Sequence, residues 1–555
     1  MRRFLRFIVE FNLSAPGAPL KEIHIGIELY AAGGDFDPRI SASVRVDATR
    51  LRAKLREYYA SDGASDSLII DLPKGGYTPC FLDAKISSSA AAAPPQDEPS
   101  IAVLPFSNLS PEPEDYFSDG LTEEIIHALS SVQGIRVVAR TSAFALKHKN
   151  ADVRHVGQAL NVAFVLEGSV RKSHGTLRVT AQLVSTADGY QLWSRRYERD
   201  VGDVFAVQDE IAREIVKLLC VTTGMHPQSF PPPATRNFEA YALYLQGRYH
   251  LNRQTRDSLH HAIDCFQLAL QHSPGYAPAF SGIAVAWLYF AVFASKAPSE
   301  AMPRALQAAA STLEIDPQNG DALSVAACAK AMFEWDWNAA ETLFRKSLRS
   351  QPGSDLSGHM FVMFSLLPMA RIEEALAVLE EARWNDPLSL FVSASKGAVL
   401  LMARRPAEAE PEYRRALELD PDFWRALIGL GRCHEANGRF DDAIACFERA
   451  KIVSDSVPTA IGSLGHAYAL AGRPDDALSI LSDLDHLADT RYVSPYGRAL
   501  ILLGLRDDRV FTWLDRSYQE RASWLMYLGL DPRFDPLRPD PRFQALLRAI
   551  GLPQL

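Results

Sequence analysis

Residues 424–450 read WRALIGLGRCHEANGRFDDAIACFERA, and the spacing of their small residues decides the fold of the carboxy-terminal half. Ala443 and Ala450 are seven residues apart, and Gly431 lies twelve residues before Ala443. Small residues let two helix backbones approach closely. In most copies of the pattern a proline, which cannot continue a helix, follows five residues later. Each copy therefore predicts the second helix of an antiparallel pair, and the copies begin at Ala262, Ala305, Ala340, Ala375, Ala409, Ala443 and Ala477.

The copies recur at a nearly constant distance. From Ala305 the steps are 35, 35, 34, 34 and 34 residues, whereas the first step of 43 indicates about nine extra residues near 295–303. A helix pair every 34 residues is typical of tetratricopeptide repeats (TPRs), which stack into a superhelix with a concave groove. We expect an all-α TPR superhelix over 236–530, with a polar cap over 531–555. The groove is expected to hold a protein or peptide partner; packing on the chain's own other domains is the alternative.

The first 82 residues predict three helices, over 3–13, 20–30 and 41–59, followed by a hairpin with strands at 68–72 and 77–81. Glycines in the connecting turn supply the positive dihedral angles that a tight hairpin needs. On the second helix Ile23, Ile27 and Tyr30 share helical spacing. On the third, an apolar stripe is formed by Val44, Ala48, Leu51, Leu55 and Tyr58. Between residues 44 and 56 five basic residues outweigh one aspartate, which gives this stretch a local charge of +4.

A family resemblance lies in VRVDATRLRAKLREYY (44–59) followed by LPKGGYTPCF (72–81). The pair resembles the winged helix of OmpR-type regulators, in which the third helix reads DNA. The likeness implies DNA contacts by Arg45, Thr49, Arg50, Arg52 and Lys54, with Lys74 in the wing; Arg56 continues the basic stripe and joins the candidate site. The sequence departs from that family because no small sheet precedes the first helix. A solvated basic helix face is the alternative interpretation.

Residues 83–99, DAKISSSAAAAPPQDEP, predict a linker, and an α/β segment follows over 100–222. Its expected elements include strands at 100–106 and 135–140, a helix over 121–131 capped by Asp119 or Thr122, and three consecutive strands. Glu123 and Glu124 are interpreted as partners of that helix's dipole. The segment resembles the TolB amino-terminal-like domain. A winged helix, a TolB-like domain and TPRs together resemble bacterial regulators often linked with adenylate cyclases and CadC-like proteins.

Motifs for catalysis are missing from the sequence, which lacks GxxxxGK[ST], HExxH, GxSxG and CxxC patterns. We therefore expect no enzyme activity, no cofactor and no metal site. The six cysteines are scattered, and arginine and glutamate interrupt the apolar amino terminus, which argues against a signal peptide. The uncharged run 277–294 falls inside the repeats and predicts a buried helix. These patterns favour a cytoplasmic protein that does not bind membranes.

The combined prediction is a multidomain transcriptional regulator: a winged helix (α+β), a small α/β domain and a TPR superhelix. DNA would bind at the basic helix, and a dimer on DNA is plausible because one winged helix buries little surface. The alternative is a TPR scaffold or adaptor whose degenerate winged helix binds only proteins. The DNA sequence, the partner and the signal are left open.

Overall fold

In a computed structural model the chain divides into two compact units, Met1–Gln96 and Asp97–Leu555. The structure describes residues 2–14, 22–30, 43–60, 68–72, 79–83, 99–110, 115–130, 132, 134–147, 149, 152–173, 175–223, 235, 237–293, 296–350, 355–454 and 457–554. The predicted linker lies almost wholly outside these ranges. The five-part domain division, with a boundary between the α/β segment and the repeats, stays a prediction.

The first unit contains three helices and an antiparallel strand pair. They are α1 (Arg2–Ser14), α2 (Glu22–Tyr30), α3 (Ser43–Ala60), β1 (Leu68–Asp71) and β2 (Cys80–Asp83). The apolar stripe of α3 is confirmed where Val44, Ala48 and Leu51 are buried against α1 and α2.

The expected stripe of α3 does not extend to Tyr58, and the helical spacing predicted for α2 does not mark its buried face. Tyr58 is 43% exposed, and Ile23, Ile27 and Tyr30 are also exposed, whereas Ile25 on the opposite side of α2 is fully buried. Alternation of apolar residues along EIHIGIELY made two faces of α2 equally plausible, and packing against α1 and α3 selected the face with Ile25 and Gly26.

The α/β segment of the second unit forms a mixed sheet. Its elements are β3 (Ser100–Val103), β4 (Ser107–Asn108), α4 (Tyr116–Ser130), β5 (Arg136–Val137), α5 (Arg140–Phe144), α6 (Val153–Leu160), β6 (Phe164–Ser173), β7 (Thr176–Ser185), β8 (Gln191–Asp200) and α7 (Val204–Thr223). The strand order is β5-β3-β6-β7-β8, with β4 paired to β6. Strand β3 runs parallel to both its neighbours, and β6, β7 and β8 run antiparallel.

The expected cap of α4 is wrong. The helix begins at Tyr116, so Asp119, Thr122, Glu123 and Glu124 all lie within it rather than at its start. The hydroxyl of Thr122 instead accepts a hydrogen bond from the backbone N–H of Phe106, which links the helix to the stretch between β3 and β4. The predicted strand over 135–140 is also shorter, because Arg140 already begins α5.

Sixteen helices of the described residues form eight consecutive antiparallel pairs, followed by a last helix. The pairs are α8 (Phe238–Arg253) and α9 (Arg256–His272); α10 (Ala277–Val292) and α11 (Pro298–Ile315); α12 (Gly320–Ala329) and α13 (Trp337–Ser350); α14 (Asp355–Phe361) and α15 (Ile372–Asn385); α16 (Leu390–Met402) and α17 (Pro406–Leu419); α18 (Trp424–Ala436) and α19 (Phe440–Val453); α20 (Pro458–Leu470) and α21 (Pro474–Ala488); α22 (Pro495–Gly504) and α23 (Val510–Gln519); the last helix is α24 (Pro541–Ile550). The first seven pairs match the predicted copies, and the eighth lacks their alanine pattern.

The packing between pairs follows from the small residues. The first alanine of every predicted copy is completely buried, and so are Phe266, Phe344 and Phe447. Phe447 lies against Gly431, where a Cβ atom would come within 2.6 Å of its ring. The extra residues of the second pair lengthen α11 to 18 residues, compared with 14 in α13, α15, α17 and α19.

Candidate functional site

The basic helix α3 carries the predicted DNA contacts. Arg50 is 70% exposed and lies 3.7 Å from the carboxylate of Asp47, and Lys54 is exposed on the same helix. An exposed ion pair of this kind contributes little stability, so the guanidinium can exchange one anion for another. The side chains of Arg45, Thr49 and Arg56, and the whole of Lys74, lie outside the described residues.

Arg52 has a different environment. Its side chain is half-buried, and Nε donates a 2.9 Å hydrogen bond to the backbone carbonyl of Leu72. The residue therefore links α3 to the end of β1. Sequence reasoning could not separate Arg52 from its exposed neighbours, because its partner is a backbone atom twenty residues further along the chain.

A buried carboxylate joins the α/β segment to the first repeat. Glu123 on α4 pairs with Arg140 of α5 and with Arg248 of α8, which lies 3.3 Å away. Asn252 of α8 donates a 3.2 Å hydrogen bond to the same carboxylate. Burial alone would raise the pKa of Glu123, but the two guanidinium groups outweigh it and lower the pKa. Glu123 is thus an interface residue rather than a helix-dipole partner.

A second contact joins the α/β segment to the fourth repeat. Asp386, which follows α15, is 4% exposed and accepts hydrogen bonds from the hydroxyls of Thr141 and Ser142 and from the Ser142 backbone N–H at 3.0 Å. The Ser142 hydroxyl also accepts a 2.7 Å hydrogen bond from the backbone N–H of Leu388. Burial raises the pKa of Asp386, and its hydrogen bonds oppose that rise. The amino terminus of α5 therefore docks on one repeat junction.

The carboxy-terminal segment returns to the second, third and fourth repeats. The segment comprises residues 523–554, with short 3-10 helices at Ser523–Tyr527 and Pro532–Leu537 before α24. Ser523 Oγ donates to the carbonyl of Ala291 at 2.8 Å, and Tyr527 Oη donates to the carbonyl of Met363 at 2.9 Å. Trp337 Nε1 donates to the carbonyl of Ile550 at 2.9 Å. The segment thus contacts repeats far from the end of the array, instead of only capping the last pair.

A buried ion triad fixes this segment. Asp531 is 1% exposed. Its carboxylate lies 2.7 Å from the guanidinium of Arg533 and 3.1 Å from that of Arg432 in α18. Burial opposes ionisation, but the two guanidinium groups hold the pKa of Asp531 well below its usual range. Removing one member of such a group leaves a buried charge without compensation.

Distant repeats also meet around Arg425 of α18. Its guanidinium lies 4.4 Å from the ring centroid of Phe293 and 5.0 Å from that of Phe391, and it donates a 3.4 Å hydrogen bond to Gln254. These partners belong to the first, second and fifth repeats. Burial lowers the pKa of Arg425 to about 10. Arginine above aromatic rings is a cation–π arrangement, here joining helices far apart in sequence.

Comparison with protein families identifies two parts of the chain. Residues 96–214 match the family described as "HilA/YgeH-like transcriptional regulator, second domain", and residues 395–461 match the tetratricopeptide repeat family. The chain therefore carries TPRs and a HilA/YgeH-like regulator domain. The regulator match covers the segment that resembles a TolB amino-terminal-like domain. Neither family description is that of a catalytic domain.

Two curated proteins are similar over part of their length. "Putative adenylate cyclase 3" of Rhizobium meliloti (strain 1021) is 42% identical over 200 residues, 35% of this chain and 34% of that protein. "Superkiller protein 3" of Schizosaccharomyces pombe is 25% identical over 215 residues, 39% of this chain and 13% of that protein. The chain thus matches about a third or less of either relative, and the cyclase name belongs to the relative.

Solved structures with similar helical repeats include Pseudomonas aeruginosa PilF, 20% identical, covering 39% of this chain and 92% of that one with a TM-score of 0.30. The human IFIT1 dimer with m7Gppp-AAAA is 15% identical, covering 62% of this chain and 77% of that one with a TM-score of 0.41. These scores are too low to support any functional argument.

Metal-ligand clusters and membrane-spanning helices are both absent from the described part of the chain. It contains no group of three or more histidine, cysteine, aspartate or glutamate side chains arranged to hold a metal ion. None of its helices has the length and apolarity needed to cross a bilayer. The histidine pair His260–His261 contacts aromatic rings of α8 and α10 instead.

Proposed function

We propose that this protein is a cytoplasmic transcriptional regulator that binds DNA through a winged helix in its first unit and a protein partner through its TPR-containing unit. The single observation that carries the proposal is the family match of residues 96–214 to a transcriptional regulator's second domain. A second domain implies a first domain before it, and we propose that this first domain reads DNA. Three helices followed by an antiparallel strand pair stand in that position.

The charge on α3 supports the DNA-binding part of the proposal. Arg50 and Lys54 are exposed on one helix, while Val44, Ala48 and Leu51 anchor its other side in the core. A helix anchored in this way can enter the major groove with its basic residues directed at phosphates or base edges. Arg45, Thr49, Arg56 and Lys74 stay in the proposed site on the basis of the OmpR-type resemblance.

The decisive experiment measures binding of the full chain to a duplex of about 30 base pairs of random sequence at several salt concentrations. Phosphate contacts alone suffice for this binding, so the target sequence need not be known. Arg50→Ala with Lys54→Ala should weaken binding by about 10- to 100-fold and lower the slope of log affinity against log salt by roughly 1.8. Both side chains are exposed, so the fold should be retained.

Arg6→Ala is the matched control. Arg6 is 79% exposed in α1 of the same unit and is paired with Glu10, so its removal changes the net charge without touching α3. Its affinity and salt slope should stay within about twofold of the parent chain. Equal losses in the control and the double variant, or no DNA binding by the parent chain, would refute the DNA-binding proposal and favour the protein-only adaptor.

The protein-binding part of the proposal has to account for the carboxy-terminal segment. Residues 523–537 contact first helices of several repeats, so a partner would bind beside this segment or displace it. A pull-down with the full chain and with a chain ending at residue 522 separates the two modes. Displacement predicts that the shortened chain captures more of the same partner than the full chain does.

A further inference from the structure

The strand β8 forms one edge of the mixed sheet and is ten residues long, whereas β5 at the opposite edge has only two residues. Among the described residues β8 pairs only with β7, so no strand lies along its outer side. The backbone N–H and C=O groups on that side form a template for pairing with another chain. A surface of this kind therefore favours a strand as its partner.

Apolar side chains are exposed where this edge begins. Tyr190 is 72% exposed and Leu192 is 53% exposed, which places them among the most exposed large apolar side chains of the described residues. Trp193 follows them and is half-buried. Clustered apolar side chains on a surface commonly mark a contact with another protein. The start of β8 is therefore a candidate part of an interface.

The charged side chains of β8 carry both signs. They are Arg195, Arg196, Glu198, Arg199 and Asp200, and all five are exposed. Charges on an edge strand usually prevent pairing with a second strand. An antiparallel copy of the same strand, however, presents these residues in reverse order, so a positive side chain can meet a negative one.

A two-fold axis at Tyr197 matches the signs of these charges. In that register Arg196 of each copy faces Glu198 of the other, on the sheet face where opposite-charge pairs are stabilising. Moving the axis by one residue along the strand places Arg196 or Glu198 opposite itself, because residues that face each other must share one face of the sheet. The register about Tyr197 is therefore favoured over its neighbours.

The other face of the paired sheet is also balanced. There Arg195 of one copy meets Arg199 of the other. The carboxylates of Glu210 and Glu214 on α7 already lie 3.3 and 3.6 Å from Arg195. Two carboxylates thus compensate two guanidinium groups at each end of the interface.

We propose that two copies of this chain pair through β8, antiparallel about Tyr197, so that their sheets become one continuous sheet. Leu192 of each copy then lies near Gly202 of the other, where a Cβ atom would meet nothing within 4 Å. The partner is a second copy because the strand's own charges complement it. The inference goes beyond the proposed function and does not depend on it, since the pairing needs neither DNA nor a TPR partner.

Sedimentation velocity of the full chain over a dilution series tests the pairing. The parent chain should show a monomer–dimer equilibrium, and Arg196→Glu should raise the dimer dissociation constant by about 10- to 100-fold, because like charges then meet at both contacts with Glu198. Arg196 is exposed and has no ion pair among the described residues, so the fold should be retained. A parent chain that stays monomeric up to about 100 μM overturns the proposal and leaves the edge to a strand of another protein.

Mixing two variants tests the register. Glu198→Arg should also weaken the dimer, whereas an equal mixture of this variant with Arg196→Glu should restore it, because each chain supplies the charge that the other lacks. Glu198 pairs with Arg178 of its own chain, but both side chains are exposed, so losing that pair costs little. A mixture that associates no better than its components overturns the register about Tyr197.

Arg171→Glu is the matched control. Arg171 is exposed on β6, on the same face of the sheet as Arg196 but two strands from the edge, and its reversal changes the net charge equally. This variant should dimerise like the parent chain. Equal losses in both variants would show general charge repulsion, and a parent-like dimer of Arg196→Glu would place the interface elsewhere; either result overturns the proposal.

Discussion

His359 and Arg425 lie close together where distant repeats meet. His359 Nδ1 is 2.6 Å from the hydroxyl of Ser395, and the ring contacts Phe391, which also lies under Arg425. Burial, reinforced by the positive charge of Arg425, lowers the pKa of His359 to about 3. The imidazole is therefore neutral in the folded chain over the physiological range.

This pKa makes stability depend on pH. The unfolded chain takes up a proton at His359 near its ordinary pKa of 6.5, whereas the folded chain does so only near 3. The associated stability is fully present above about pH 7 and is lost as the pH falls from 6.5 towards 3. Between pH 7.5 and 5.0 we expect a loss of about 1–2 kcal/mol from this residue.

The urea midpoint at the two pH values measures this loss. His359→Asn keeps a polar atom for Ser395 but does not titrate, so its midpoint should fall less than that of the parent chain. His155→Asn, which changes an exposed histidine of α6, should behave like the parent chain. An identical pH response in His359→Asn would contradict the assignment.

Glycine at the helix crossings gives a second residue-level prediction. A methyl group at Gly431 would lie 2.6 Å from the buried ring of Phe447, whereas a methyl group at Gly358 meets no atom within 4 Å. Overpacking should make Gly431→Ala cost about 1–2 kcal/mol in spite of alanine's higher helix propensity. Gly358→Ala should instead gain up to about 1 kcal/mol. Thermal unfolding of both variants provides the comparison, and equal shifts in Tm would contradict the crossing geometry.

At the scale of elements, the repeated helix pairs could be predicted because one physical requirement recurs. Each pair of helices needs small residues at Ala262 and its counterparts, where the two backbones cross closely. Most pairs also need a proline that ends the second helix, so the sequence shows the repeat period directly. The eighth pair was missed because α23 contains no alanine, and its buried residues seven apart are Val510 and Ser517. The face of α2 was missed because two faces of one short helix were equally apolar.

The contacts between the α/β segment and the repeats could not be predicted, because the same Asp-Pro dipeptide has different roles at different repeat junctions. Asp-Pro follows α11, α15 and α17, at Asp316, Asp386 and Asp420. Only Asp386 of the three accepts hydrogen bonds from the α/β segment within the described residues. Its role depends on which repeat faces that segment, which the local sequence does not record.

These three junctions supply a matched experiment. Asp386→Ala should leave the Ser142 backbone N–H buried without its acceptor and cost about 1–3 kcal/mol. Asp420→Ala, at the equivalent position of the next repeat, loses a half-exposed loop contact to Asp422 and should cost under 1 kcal/mol. Hydrogen exchange at residues 139–146 reports the difference. Faster exchange in both variants would show that Asp386 stabilises its repeat junction as Asp420 does, and has no particular role in binding the α/β segment.

At the scale of the molecule's second unit, the α/β segment and the repeats share one hydrophobic core. The core runs from Ile101 of β3 through α4 and α7 to Leu379 of α15. The carboxy-terminal segment then closes the far side of the array through its own core around Phe534 and Phe543. A change in the segment therefore reaches helices that are far apart in sequence, such as α10 and α18, whereas the α/β segment packs on α8 and on the junction after α15.

A substitution in the ion triad tests whether the carboxy-terminal segment stabilises the repeat helices that it contacts. Asp531→Asn removes the carboxylate that compensates Arg432 and Arg533, so we expect a cost of about 3–5 kcal/mol and release of the segment from the repeats. Hydrogen exchange should then quicken at residues 523–537 and at the first helices α10, α14 and α18 together. Asp422→Asn is the control, because Asp422 is 65% exposed and its partner Arg449 is 52% exposed. Faster exchange confined to residues 523–537 would show that the segment packs on the repeats without stabilising them.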